Sequence, residues 1–355
     1  MGIKHMLQQL VPGYKLNGRF EILRLHGKGS LGDTVYIGKH PELEKEVIIR
    51  VMPPEMAAGT DAIQRFIQSV RLTAALKHQN ILPAYDAGDE NGILYFVSAS
   101  ETGLYLSDYI KMKGKLEQDE AVKIIIAIAD ALNCAWDEKK ILHRNVCPST
   151  ILIASGVHPM LTDFGLAKSF EPGKDSLTVT GFVIGNPQYM SPEQALGERE
   201  LTFLADMYCL GLVFYEMLAG RPAFDFKSQV ELMDAQMNRA PKSLANFNSK
   251  VSADCIAIIN KMVEKDKKKR YETWAALIKD LKTVLAGKPL AGQAAKKLVM
   301  GREPSQKPAA QKSFAATPPV RPPRTSSPLP AIIITVLAMI VIILLAIVVL
   351  KYAGK

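Results

Sequence analysis

Between residues 14 and 51 lie three short runs rich in Val, Ile, Tyr and Phe, "GRFEILRLH", "DTVYIGKH" and "KEVIIRVM", each partly alternating and each closed by a turn. Beyond Ser107 the chain reads as mostly helical, notably over 118–136 and 203–219. Strands and helices that arrive in separate blocks pack as an α+β fold and not as alternating βαβ layers. Between the blocks, 61–76 reads as a helix with Thr60 as its cap and Ile63, Phe66, Ile67 and Val70 at helical spacing. Two more strands, near 81–85 and 93–98, complete a small sheet. The expected architecture is two-lobed, a β-rich N-terminal lobe joined to a helical C-terminal lobe.

A second constraint lies at 331–350, "AIIITVLAMIVIILLAIVVL", where 20 residues carry no charge and a single hydroxyl, Thr335. A helix of that length reaches roughly 30 Å, the hydrocarbon thickness of a bilayer, so the segment is expected to span a membrane. The basic stretch just before it places that flank, and the large N-terminal part, on the cytoplasmic side. Residues 351–355 form a short tail. The segment 286–330, dominated by Pro, Ser, Ala, Gln and Lys and ending in "TPPVRPPRTSSPLP", reads as a flexible juxtamembrane linker. Its cations are suited to anionic lipid headgroups, at around 1 kcal/mol per residue near the surface; a plain soluble tether is the alternative.

The formal charge of +9 invites a nucleic-acid reading. Eight Lys or Arg against one Glu in 286–330, with Lys351 and Lys355, account for all of it, and residues 1–285 are neutral. The folded part therefore has no overall footprint for phosphate backbones, and no nucleic-acid partner is expected. Four cysteines, Cys134, Cys147, Cys209 and Cys255, lack metal-ligand or CxxC spacing and suit a reducing compartment.

The chemistry-bearing motifs come in a fixed order: the glycine run "HGKGSLGDTVYIG", then "EVIIR", "KHQNIL", "ILHRN", "TDFG", "MSPEQ" and "ADMYCLGLVFYEMLAGRPAF". A GxGxxG alone is weak evidence, but this one joins two strands, which disfavours a Rossmann site and suits a hairpin over phosphates. Together the motifs resemble the Hanks-type serine/threonine protein kinases, most closely the bacterial membrane-anchored kind. The resemblance covers 14–285, with a small lobe at 14–100 and a large lobe at 101–285 after an N-terminal extension at 1–13. It implies ATP and magnesium between the lobes, with Gly27, Gly29, Gly32, Val35, Ser98 and Ser100 around the nucleotide. Ser98 falls at the gatekeeper position, small enough to leave room behind an adenine.

Carried over residue by residue, the resemblance exposes departures at the reacting centre. Arg50 stands where a lysine holds the α and β phosphates, and Ser69 where a helix glutamate would pair with it, so that ion pair cannot form. Asn145 replaces the aspartate that receives the substrate's proton, a loss worth ~10² to 10⁴-fold in rate. Cys147 replaces a phosphate-contacting lysine, and Thr150 an asparagine that binds the second magnesium. Asp163, in an intact DFG, is the candidate magnesium ligand, with a turn or cap residue as the alternative. Glu193 and Arg270 are expected to form the family's buried ion pair. Thr178 and Thr180, beside Ser176, are candidate regulatory phosphorylation sites that Arg144 would pair with. Asn186 stands where a small hydroxyl residue is usual.

The pattern implies a membrane-anchored pseudokinase, a signalling scaffold or regulator that binds ATP weakly and partners with proteins such as an active kinase or its substrates. A weak or unorthodox ATP-dependent kinase and a structural module that binds no nucleotide are the alternatives.

Overall fold

A computed structural model of the chain describes residues 10–29, 33–52, 67, 70, 74–163 and 186–290. All belong to the first of two compact units, 1–302 and 303–355. Residues 291–330 of the linker, the 331–350 segment, Gly32, Ser69, Thr178 and Thr180 lie outside the described residues. Among the described residues, no helix is long and apolar enough to cross a membrane.

The N-terminal lobe is an antiparallel sheet of β1 (Lys15–Leu16), β2 (Phe20–Lys28), β3 (Thr34–Lys39), β4 (Glu46–Val51), β5 (Ala84–Glu90) and β6 (Ile93–Ala99), in the order β1-β2-β3-β4-β6-β5. Alternation sorts its two faces. Leu16, Phe20, Ile22, Tyr36, Val47, Ile49, Tyr95 and Val97 form one buried cluster. Their strand neighbours Val35, Ile48, Arg50, Phe96 and Ser98 therefore turn to the other face, in the registers Val35↔Arg50, Arg50↔Phe96 and Ile48↔Ser98. Val35, Arg50 and Ser98, grouped from the motif order, thus share one face of the sheet.

The strand read at 81–85 begins instead at Ala84. Ile81 makes only an isolated parallel bridge to Leu161 and packs into the helical lobe's core. A second antiparallel sheet is formed by β7 (Gly103–Tyr105), β8 (Ile151–Ala154) and β9 (His158–Leu161), in that order. Around it stand α1 (Leu106–Lys113), α2 (Gln118–Lys139), α3 (Pro192–Ala195), α4 (Phe203–Ala219), α5 (Gln229–Asn238), α6 (Ala253–Met262) and α7 (Trp274–Leu285). Helix α4 is apolar on nearly every side, which marks it as the buried axis of the lobe. At Gly211 a Cβ would stand 2.8 Å from Met262 Cβ and Val263 Cγ1, so glycine lets α4 lie directly against the end of α6.

The two lobes are tied together beside β9. Leu161 N–H donates to Asn80 O at 2.8 Å, Leu82 N–H donates to Leu161 O at 2.9 Å, and the Asn80 side chain donates to Pro159 O at 2.7 Å. That anchor fixes the end of β9, and with it Thr162 and Asp163, beneath the sheet face that carries Arg50.

Candidate functional site at the meeting of the lobes

The guanidinium of Arg50 is the centre of the site. It is buried to 3% exposure, with Nη1 2.9 Å from Asp33 Oδ2 and Nη2 2.8 Å from Asp163 Oδ2. The two carboxylates come from opposite lobes, Asp33 from the residue just before β3 and Asp163 from two residues beyond β9. They hold the guanidinium charged, raising its pKa against the burial that would lower it. Tyr105, at the end of β7, brings its phenol to the same cation; burial pushes that phenol's pKa up and Arg50 opposes the rise. Arg50 therefore does have acidic partners, although the helix position expected to supply one is Ser69. Neither Asp33 nor Tyr105 is a residue the motif order singles out.

Asp163 has φ +60°, a backbone conformation uncommon for a residue with a side chain. The glycine strand closes onto the ion pair: Gly27, at φ +156°, sits by a bulge and pairs with Val35. Gly29 N–H donates to Asp33 O at 2.9 Å, and a Cβ on Gly29 would run into both Asp33 carboxylate oxygens and Arg50 Nη1. Ser98 is buried with its hydroxyl 3.4 Å from Ala99 O, and Ser100 is half-buried in the connection to β7.

The loop from His143 to Thr150 is held by its own backbone. Asp206, on α4, accepts the N–H groups of His143 and Arg144 at 2.8 and 2.7 Å. His143 Nε2 lies 2.8 Å from Thr162 O, and Asn145 N–H donates to His143 Nδ1 at 3.2 Å. Only the neutral ring with its proton on Nε2 satisfies both bonds, in keeping with burial that drives its pKa down to about 4. Asn145 is buried, and its Oδ1 accepts the Asn186 N–H at 3.1 Å. Asn186 in turn accepts from Gln188 N–H at 3.1 Å.

Cys147 is fully buried and burial raises its thiol pKa, so it stays neutral, with Sγ 3.1 Å from Ser149 Oγ. The Thr150 hydroxyl faces its own loop, 3.0 Å from the carbonyls of Asn145 and Cys147, and accepts Cys147 N–H at 3.1 Å. Behind this loop, Gln194 donates to Arg144 O at 2.8 Å, and Glu193 pairs with Arg270 at 2.7 and 3.0 Å as the motif order implies.

Residues 20–281 match the family model described as "Protein kinase domain". The serine/threonine-protein kinase PrkC of Bacillus subtilis is 34% identical over 274 residues, covering 77% of this chain and 42% of that protein. PknB of Mycobacterium tuberculosis is 31% identical over 278 residues, covering 77% of this chain and 44% of PknB. This chain thus spans less than half the length of either relative. A crystal structure of the M. tuberculosis PknI kinase domain superposes with a TM-score of 0.64 at 23% identity, over 79% of this chain and 100% of that domain, and has the same fold. The chain belongs to the protein kinase family, among the bacterial serine/threonine kinases.

Proposed function

We propose that the chain is a membrane-tethered pseudokinase, a kinase-fold scaffold or regulator in which phosphoryl transfer is lost. The observation that carries this reading is the commitment of Asp163 to Arg50 at 2.8 Å. In the family, one of these groups holds metal and the other holds phosphate. Here each neutralises the other. Asn145 offers no basic atom near neutral pH, and its carbonyl oxygen is bonded to the Asn186 N–H.

Protein kinases as a family use ATP and Mg²⁺. The donor set of this chain does not fit that pair as it stands. The Asp163 carboxylate faces a guanidinium, Thr150 faces backbone carbonyls, and Cys147 is a buried neutral thiol. The retained glycine strand and DFG support residual nucleotide binding only if Arg50 is released. The uncharged run at 331–350 and the basic linker before it support a single-pass anchor, with this domain on the cytoplasmic side and protein partners as its output.

Phosphoryl transfer from labelled ATP with magnesium, to the chain itself and to a generic protein substrate, tests the reading. The expected signal equals that of Asp163→Ala. Turnover at ordinary kinase rates that disappears in Asp163→Ala overturns it.

A further inference from the structure

We infer that Asp33 is a built-in substitute for a nucleotide phosphate, a carboxylate that sits on Arg50 beneath the glycine strand and sets how poorly this cleft accepts polyphosphate anions. This rests on the reading of Arg50 as the phosphate-facing cation of the cleft.

Three observations lead there. Asp33 is completely buried, and its carboxylate lies at hydrogen-bond distance on one arm of the guanidinium, while Asp163 takes the other arm. The planar fork that suits arginine to phosphate is therefore already bridged by two carboxylates. The two arms of the fork serve the two carboxylates separately, Nη1 to Asp33 and Nη2 to Asp163.

The second observation concerns space. The backbone at Gly29 lies so close over the Asp33–Arg50 pair that a Cβ there would strike it. Gly29 is used to cover an internal carboxylate, at the place where glycine strands of this family cover phosphates. The third is charge. The carboxylate of Asp33 occupies the arm of Arg50 that a phosphate would use, so a triphosphate brought to Arg50 must displace Asp33 or be repelled by it.

The loop itself carries a trace of this arrangement. The family pattern G-x-G-x-x-G-x-V puts one residue between the last glycine and the valine. Here two, Asp33 and Thr34, separate Gly32 from Val35.

The test is equilibrium binding of a fluorescent ATP analogue, with and without magnesium, to the full chain in detergent and to Asp33→Asn, Asp33→Ser and Asp33→Glu variants. Asp33→Asn and Asp33→Ser are expected to bind at least about tenfold tighter than wild type, because a charged competitor has been removed from the cation. Asp33→Glu, which keeps the charge, is expected to stay weak, and Arg50→Met added to Asp33→Asn is expected to erase the gain. Binding by Asp33→Asn within about twofold of wild type overturns the inference, as does a gain that survives Arg50→Met.

A measurement on the wild type alone covers the case in which the variants fail to fold. Adenosine and ATP should compete equally well, or neither detectably, because the phosphates find Arg50 occupied. ATP binding 100-fold tighter than adenosine, on the order of 2.7 kcal/mol, overturns the inference. Phosphoryl transfer by the wild type would sink the pseudokinase reading while leaving these comparisons to decide Asp33 on their own.

Discussion

Two buried arginines hold this protein together in opposite ways. Arg270, at the base of the helical lobe, faces one carboxylate, Glu193, in a bidentate fork at 2.7 and 3.0 Å. Its remaining donors reach backbone carbonyls of Glu264, Leu204 and Lys265. Charge is balanced one to one, and every partner is part of the frame. Arg50 faces two carboxylates from different lobes and lies against a glycine strand. Around Arg270 the chain keeps the family's structural ion pair; around Arg50 it turns the groups that would face a ligand onto one another. The frame is preserved where it supports the helical lobe, and in the proposed reading the cleft is rebuilt where chemistry would occur.

The largest expected effect tests the frame. Arg270→Ala leaves Glu193 buried without its cation and should cost about 3 to 5 kcal/mol of unfolding free energy, measured by urea titration of a 1–302 fragment if that fragment folds, or by thermal melting of the full chain. A loss below about 1 kcal/mol would put Arg270 in the same class as a surface ion pair and break the comparison.

Next in size is an acid sensitivity that belongs to the loop beneath the cleft. Folded His143 is neutral with a pKa lowered to about 4, against about 6.5 when unfolded. Between those values the unfolded chain binds the extra proton, so stability is full above pH 6.5 and falls as the pH drops toward 4, by about 3 kcal/mol. Asp206, whose carboxyl burial raises to about 6, opposes this, because the folded state takes up its proton first in the same window. The difference between wild type and His143→Gln across pH 4 to 6.5 isolates the histidine. The variant should lose less stability on acidification, and parallel curves would show that His143 is not buried as a neutral ring.

Smaller still is Thr150→Val, which removes a hydroxyl bonded, among the described residues, to its own loop and should cost about 1 to 2 kcal/mol. Because that hydroxyl faces the loop backbone, the same variant should leave magnesium binding unchanged by calorimetry. The smallest effect on activity is expected from Asn145→Asp. A carboxylate can accept the Asn186 N–H as the amide does, but residue 145 is buried, so the added charge should cost about 1 to 3 kcal/mol of stability. Phosphoryl transfer should stay absent, since Asp163 remains on Arg50; recovered transfer in this single variant would locate the defect at the base alone.

Most of the frame was legible because periodicity and motif order report directly on burial. Helix α4 has the limits its apolar run implies, and α2 starts at Gln118 as read. That helix continues three residues past Trp136 to Lys139, through polar residues that carry no periodic signal, and closes at Lys140 in a left-handed turn. Strand β5, "AYDAGDE", is too polar to announce itself, whereas apolar Ile81 looked like a strand residue and serves the other lobe. Within the site, Arg50 stood out because a motif fixed its place. Asp33 and Tyr105 did not: Asp33 comes beside Arg50 through the β3–β4 register, Thr34↔Val51 and Val35↔Arg50, and Tyr105 reaches it from the other lobe. Only the surplus residue before Val35 hinted at Asp33.

The measurement closest to the central claim is a double-mutant cycle in the absence of nucleotide, comparing wild type, Arg50→Met, Asp163→Asn and the double variant by unfolding free energy. If the chain's own carboxylate holds the cleft cation, the coupling should be at least about 1.5 kcal/mol in favour of the pair. Additive effects, with coupling within about 0.5 kcal/mol of zero, would contradict the account, because Asp163 would then not be committed to Arg50 and its carboxylate would be open to a metal ion.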